Sequence, residues 1–165
     1  MIKTKFAAAL LLLSAALIFV GCSGDTKTIP DLPVSDIAAA FDTKISASAD
    51  LADCGDDYLI NMCGVNPQDI DGYVMKLQVS GTGADSYGIF KLIDETNKEA
   101  VESGLNAYIE NLRANYENFN YLPEEEGKIK GASVRVYGKY VYFTILSETE
   151  KAACDSAFDE IMKGK

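Results

Sequence analysis

The 165-residue chain contains no histidine and no tryptophan. Without imidazole there is no Ser-His-Asp or Cys-His nucleophile pair and no histidine ligand for a metal. Gly-x-Ser-x-Gly, a Walker loop and Ser-x-x-Lys are missing as well. Basic side chains are scarce, 15 against 25 acids, for a formal net charge of −10. Such a surface repels phosphate backbones, so nucleic acid is not an expected partner. The cysteines are Cys22, Cys54, Cys63 and Cys154, with no Cys-x-x-Cys spacing to start a zinc site. Carboxylates are therefore the one abundant reactive group. With 25 of them some pair always resembles a glycosidase couple, so a hydrolase is the least favoured function. Asp50, Asp53, Asp56 and Asp57 read as a solvated acidic loop, with a loose calcium site as the alternative. Asp69-Ile70-Asp71-Gly72 lacks the preceding acid and the terminal Glu of a calcium loop. No catalytic residue, metal site or cofactor is expected.

One long apolar run is present, residues 6–20, with Ser14 its single polar side chain and Lys3 and Lys5 before it. A membrane-spanning helix needs about 20 apolar residues. A basic start, a run of 7–15 apolar residues and a small residue at the cut form the secretory pattern. Phe19-Val20-Gly21-Cys22 then resembles a lipobox, with Phe19 where Leu is usual. The expectation is a lipoprotein signal peptide over residues 1–21 and a lipid-modified Cys22. The alternatives are an ordinary secretory peptide and a retained membrane helix. Two acyl chains on Cys22 suffice for stable anchoring. Residues 22–32 are polar, with Gly24 and Pro30, and read as a tether. Loss of Lys3 and Lys5 with the signal peptide takes the charge from −10 to −12.

Residues 33–165 form a chain length that suits a single domain. Val34, Ile37, Phe41 and Ile45 share one face of a first helix from Pro33 to about Ile45. Residues 46–57 read as a loop, and Tyr58–Cys63 as either a short strand or a helix. Tyr73, Met75, Leu77 and Val79 alternate as in a half-buried strand, and residues 87–93 form a more central one. Thr96 and Glu99 pattern as a capping box before a long helix to about Phe119. Residues 120–131 read as a loop. Residues 132–137 and 140–146 form a hairpin about Gly138-Lys139. Ser147 and Glu150 then cap a last helix to about Met162, with Ala153, Ala157, Phe158 and Ile161 inward. The expected fold is α+β: a four-stranded, mostly antiparallel sheet from two ββα units, helices packed on one face, and an extra N-terminal helix.

Several short motifs carry a resemblance. They are Gly64-Val65-Asn66-Pro67-Gln68-Asp69-Ile70 leading to Tyr73-Val74, and Gly83-Ala84-Asp85-Ser86 leading to Gly88-Ile89-Phe90-Lys91. They continue with Phe119-Asn120-Tyr121-Leu122-Pro123, Lys128-Ile129, Val134 and Gly138-Lys139-Tyr140-Val141. With the lipobox, these resemble a lipoprotein family of Gram-positive, often gut-dwelling, bacteria labelled domain of unknown function 4358. The resemblance implies a fold type and a membrane anchor, and no activity. Residues 33–63 match it poorly.

In the 132–146 hairpin, Ala132, Val134 and Val136 share a face with Val141, Phe143 and Ile145. The opposite face carries Arg135, Tyr137, Tyr140 and Tyr142. Tyr and Arg are enriched in binding hot spots. Left open, this face is a candidate partner-binding patch. Otherwise it is cross-strand pairing, or a surface covered by the N-terminal segment. Cys54 and Cys63 are either a disulfide or reduced, partly buried thiols. The expected function is a non-catalytic, lipid-anchored module on the outside of the cell membrane. It would bind an envelope protein or component through the tyrosine face or residues 121–126. The alternative is a small-ligand-binding accessory lipoprotein of a transport system.

Overall fold

The computed structural model describes residues 29–81, 83–119 and 123–164. Its order is helix α1 (Val34–Asp42), strand β1 (Leu51–Asp53), helix α2 (Asp56–Cys63), then strands β2 (Ile70–Gln78) and β3 (Ser86–Leu92). Helices α3 (Lys98–Phe119) and α4 (Pro123–Gly131) follow. Strands β4 (Ser133–Tyr137) and β5 (Tyr140–Ile145) and helix α5 (Glu148–Met162) complete it. The strands form one five-stranded sheet in the order β1-β2-β3-β5-β4, antiparallel at every pairing.

The fifth strand is β1, inside the stretch expected to be a loop. It is three residues long, and only Leu51 is buried, so it carries no readable alternation. Residues 56–63 are helical, resolving that ambiguity. The hairpin forms in the expected register, with Tyr137 opposite Tyr140 and Arg135 opposite Tyr142. Gly138 sits at φ +56°, which glycine adopts without strain, so it opens the two-residue turn.

The two faces of the sheet follow its two-residue period. Met75, Phe90, Leu92, Val141, Phe143 and Ile145 point to one side. They meet Leu59 and Cys63 of α2 and Val101, Leu105, Tyr108 and Ile109 of α3. Tyr87, Ile89, Tyr140 and Tyr142 point to the other. They meet Ile37 and Phe41 of α1 and Cys154, Phe158 and Met162 of α5. Helices therefore cover both faces, which corrects the expectation of helices on one. The reason lies in the tyrosines. Their rings pack as core, with Tyr142 4.4 Å from Phe158 and 5.6 Å from Phe41. Burying each such ring contributes ~1.5–3 kcal/mol, ample reason for α1 and α5 to close over them.

Ser147 caps α5 as its sequence predicts, its hydroxyl donating to Glu150 at 2.6 Å and accepting from the Glu150 amide. The Thr96 cap is not formed. Asp94 instead accepts from the Thr96 amide at 2.9 Å and starts a short 3-10 turn that leads into α3. Helix α4 replaces the loop expected over residues 120–131; residues 120–122 lie outside the described ones. No helix among the described residues is long and apolar enough to cross a membrane.

Candidate functional site

The four hairpin residues do converge, but beneath helices. Tyr140 and Tyr142 are 2% and 1% exposed, so neither offers a surface to a partner. Tyr142 donates to Asp155 at 2.8 Å. Arg135 is half-buried, pairs with Asp155 at 3.2 Å and Asp159 at 3.4 Å, and lies 5.6 Å from the centre of the Tyr142 ring. Tyr137, also half-buried, sets its ring edge-on to Phe158 at 6.2 Å. Buried tyrosines usually find a hydroxyl partner, and here each partner comes from the covering layer. Tyr87 likewise donates to Asp42 of α1 at 2.8 Å. Burial, with the neighbouring carboxylates, pushes the Tyr87 and Tyr142 hydroxyls far above their ordinary range. These groups stay protonated and structural.

Tyr140 has a different role. Its hydroxyl accepts from the Leu32 amide at 2.6 Å and lies 3.2 and 2.9 Å from the carbonyls of Pro30 and Leu32. Lys91 adds an ion pair to Asp31 at 2.6 Å. The Ile29 side chain reaches the Gly138 turn, 2.5 Å from where a Cβ on that glycine would stand. Residues 29–32, expected to be tether, are thus fastened to the domain. Cys22 lies outside the described residues. The chain enters at the end of the sheet that holds the β4–β5 turn, where the Leu92 amide donates to Lys139 at 2.8 Å.

A cleft of about 170 Å³ opens at the other end of the sheet, among the β2–β3 turn, α3 and α4. Leu77, Leu112 and Ile129 give it apolar walls, with the rings of Tyr108 and Tyr116. Gln78 and Asp85 form its polar end. Lys128 of α4 reaches across to Asp85 at 2.7 Å and Glu125 at 2.9 Å, and Glu125 also accepts from the Ala84 amide at 2.9 Å. The three side chains are 11–20% exposed. The Asp85 contact is an ion pair without hydrogen-bond alignment. Burial works against the Lys128 charge, but the two carboxylates outweigh it and raise its pKa. A lysine so held is protonated at neutral pH and is no nucleophile. The Gln78 amide nitrogen donates to the Ser80 carbonyl at 3.0 Å, which leaves its oxygen buried with no hydrogen-bond partner. Gly83 packs directly on that amide: a Cβ there would fall 1.9 Å from the Gln78 oxygen.

The sequence offered no pairing between Asp85 and Lys128, more than forty positions apart. Its one signal was that Gly83-Ala84-Asp85-Ser86 and Lys128-Ile129 both belong to the motifs of the family resemblance. The thiols of Cys54, Cys63 and Cys154 are free. Burial pushes Cys63 and Cys154 up to about 12, which keeps them protonated and unreactive. Among the described residues no group of three carboxylates or thiols is placed to hold a metal. Asp56 of the acidic stretch instead accepts from the Tyr73 hydroxyl at 2.6 Å.

Residues 44–146 match the family model described as Domain of unknown function (DUF4358). The match spans more than half of the chain, so the chain belongs to that family. It begins within the segment that had matched the motifs poorly and takes in β1 and α2. No curated protein and no solved structure gives a significant match.

Proposed function

We propose that this DUF4358 member is an exported lipoprotein of a Gram-positive bacterium. In this reading residues 1–21 direct export, lipid on Cys22 holds the protein to the outer face of the cell membrane, and the domain is a non-catalytic binding module. The observation that carries the proposal is the position of the bound N-terminal segment. Tyr140 and Lys91 fix residues 30–32 at one end of the sheet, and the cleft opens at the other. The ends are separated by the run of β3, roughly 20 Å at ~3.4 Å per residue. Residues 22–28 reach at most roughly 23 Å. An anchor at Cys22 therefore keeps the β4–β5 turn within reach of the lipid, and in this reading the cleft faces the medium. The charged groups at the cleft are paired and its tyrosines serve packing, which favours binding over catalysis.

The tyrosine face, being covered, no longer supports a protein-docking role, so binding is assigned to the cleft end. A second reading, an accessory lipoprotein that takes a small ligand for a transport system, is supported by the cleft's apolar walls and polar end. Replacing Cys22 with Ala tests the anchor. The variant should leave the membrane fraction and appear in the medium or the wash. A processed Cys22→Ala protein that still sediments with membranes would overturn the proposal.

A further inference from the structure

We propose that the cleft binds a primary ammonium group carried on an apolar stem about the size of one aromatic ring, the ammonium directed at Asp85 and the Gln78 oxygen. Three features of the site converge on that chemistry. The first is charge: Asp85 and Glu125 against Lys128 leave one net negative charge at the polar end. The second is the hydrogen-bond balance. The Gln78 oxygen is a buried acceptor with no donor, and a donor supplied to such a group recovers its desolvation penalty. An ammonium brings three donors and no acceptor. The third is shape. A cavity of ~150 Å³ holds a benzene ring, close to the cleft's 170 Å³. The walls are Leu77, Leu112 and Ile129, with the rings of Tyr108 and Tyr116, which suit an apolar stem and attract a cation beside it. A carboxylate or phosphate ligand would meet two acceptors, Asp85 and the Gln78 oxygen, and the nearby Lys128 is already held by Asp85 and Glu125.

The inference deepens the proposal that the cleft end is the binding end, and it does not depend on the anchor. The full chain in detergent is titrated with phenethylamine, with 2-phenylethanol and phenylacetate as neutral and anionic controls. Amide shifts are followed by NMR. A ligand this small reaches roughly millimolar affinity. Shifts should concentrate at Gln78, Ala84–Ser86 and Leu112, with phenethylamine at least several-fold tighter than either control. Asp85→Asn, which leaves Lys128 paired to Glu125, should weaken binding about tenfold. Gln78→Met removes the orphan acceptor at similar volume. It should fold with undiminished stability and also bind more weakly, which keeps the test decisive if Asp85→Asn does not fold. Equal affinity for the three probes overturns the proposal. So does an unchanged affinity in Gln78→Met, or the absence of shifts at about 10 mM phenethylamine, an outcome that would assign the Gln78 oxygen to an ordered water. If phenethylamine fails while Cys22→Ala releases the protein, the ligand chemistry is wrong and the anchor stands.

Discussion

Asp155 joins α5 to the sheet through the Tyr142 hydroxyl at 2.8 Å and Arg135 at 3.2 Å, and pairs within the helix with Lys151 at 3.0 Å. Burial alone would raise its pKa. The hydrogen bonds from Tyr142, Lys151 and Arg135, with the charge of Lys151, outweigh that and hold it below the usual carboxylate value. Glu150 is lowered in the same way, burial being overcome by the Ser147 hydroxyl and the Ser46 amide. A carboxyl whose folded pKa is depressed adds stability above its unfolded pKa, and that stability is lost as the pH falls through the folded value. Urea midpoints should therefore be level from neutral pH to about 5 and fall below about 4, near and under the ordinary carboxylate range. Asp155→Asn should flatten part of that decline. An equal decline in both proteins would remove Asp155 from the acid response. At neutral pH, Tyr142→Phe should cost ~1.5–3 kcal/mol, since it deletes a hydrogen bond to a charged acceptor.

Helix α4 shows how an element can form with little local reason to do so. Residues 123–131 hold three consecutive Glu, Gly127 and Gly131, and Ile129 is the one residue of the helix among those described that is fully buried. Pro123 suits its first turn, but the weak apolar pattern and the glycines read as a loop. What holds it comes from elsewhere in the chain. The Arg113 guanidinium of α3 donates to the carbonyls of Ile129 at 3.2 Å, Lys130 at 3.2 Å and Ala132 at 2.6 Å. Ile129 and Lys130 lie in the last turn of α4, where carbonyls lack intrahelical partners, and Ala132 follows its end. Lys128 ties the other side to Asp85. Nothing local to either helix in the sequence foresees this reach across 16 to 19 positions. Arg113→Met, which keeps the apolar stem, should destabilise by ~1–3 kcal/mol. Hydrogen exchange should rise over residues 124–131 and not over α5. Uniform loss of protection would show that Arg113 does not act on α4 in particular. The 132–146 hairpin is the opposite case. A glycine-led turn and strict alternation determine it locally, and its register was legible residue by residue.

At the scale of the whole molecule, that same alternation reaches only so far. It assigned Tyr137, Tyr140 and Tyr142 to one face but did not choose between an open patch, cross-strand pairing and a cover from the N-terminal segment. A tyrosine-rich face looks polar in sequence, yet its rings are core and only the hydroxyl tips need partners. Those partners are Asp155, Pro30 and Leu32, each on a segment whose position depends on long-range packing. The cleft was illegible for a similar reason: its polar end joins a β-turn to a helix that the sequence did not reveal. What packing adds is polarity of the whole domain, with residues 29–32 at one end of the sheet and the cleft at the other. The most direct test places a fluorophore at each end of the lipid-anchored protein. Lys139→Cys and Val79→Cys, each in a Cys54→Ala background that removes the half-buried thiol, are bound to vesicles carrying headgroup acceptors. Both positions are exposed, Val79 at 70%. Energy transfer should be clearly stronger from position 139, about 20 Å nearer the lipid. Equal transfer, stronger transfer from position 79, or none from either would contradict an anchored domain that holds its cleft away from the membrane.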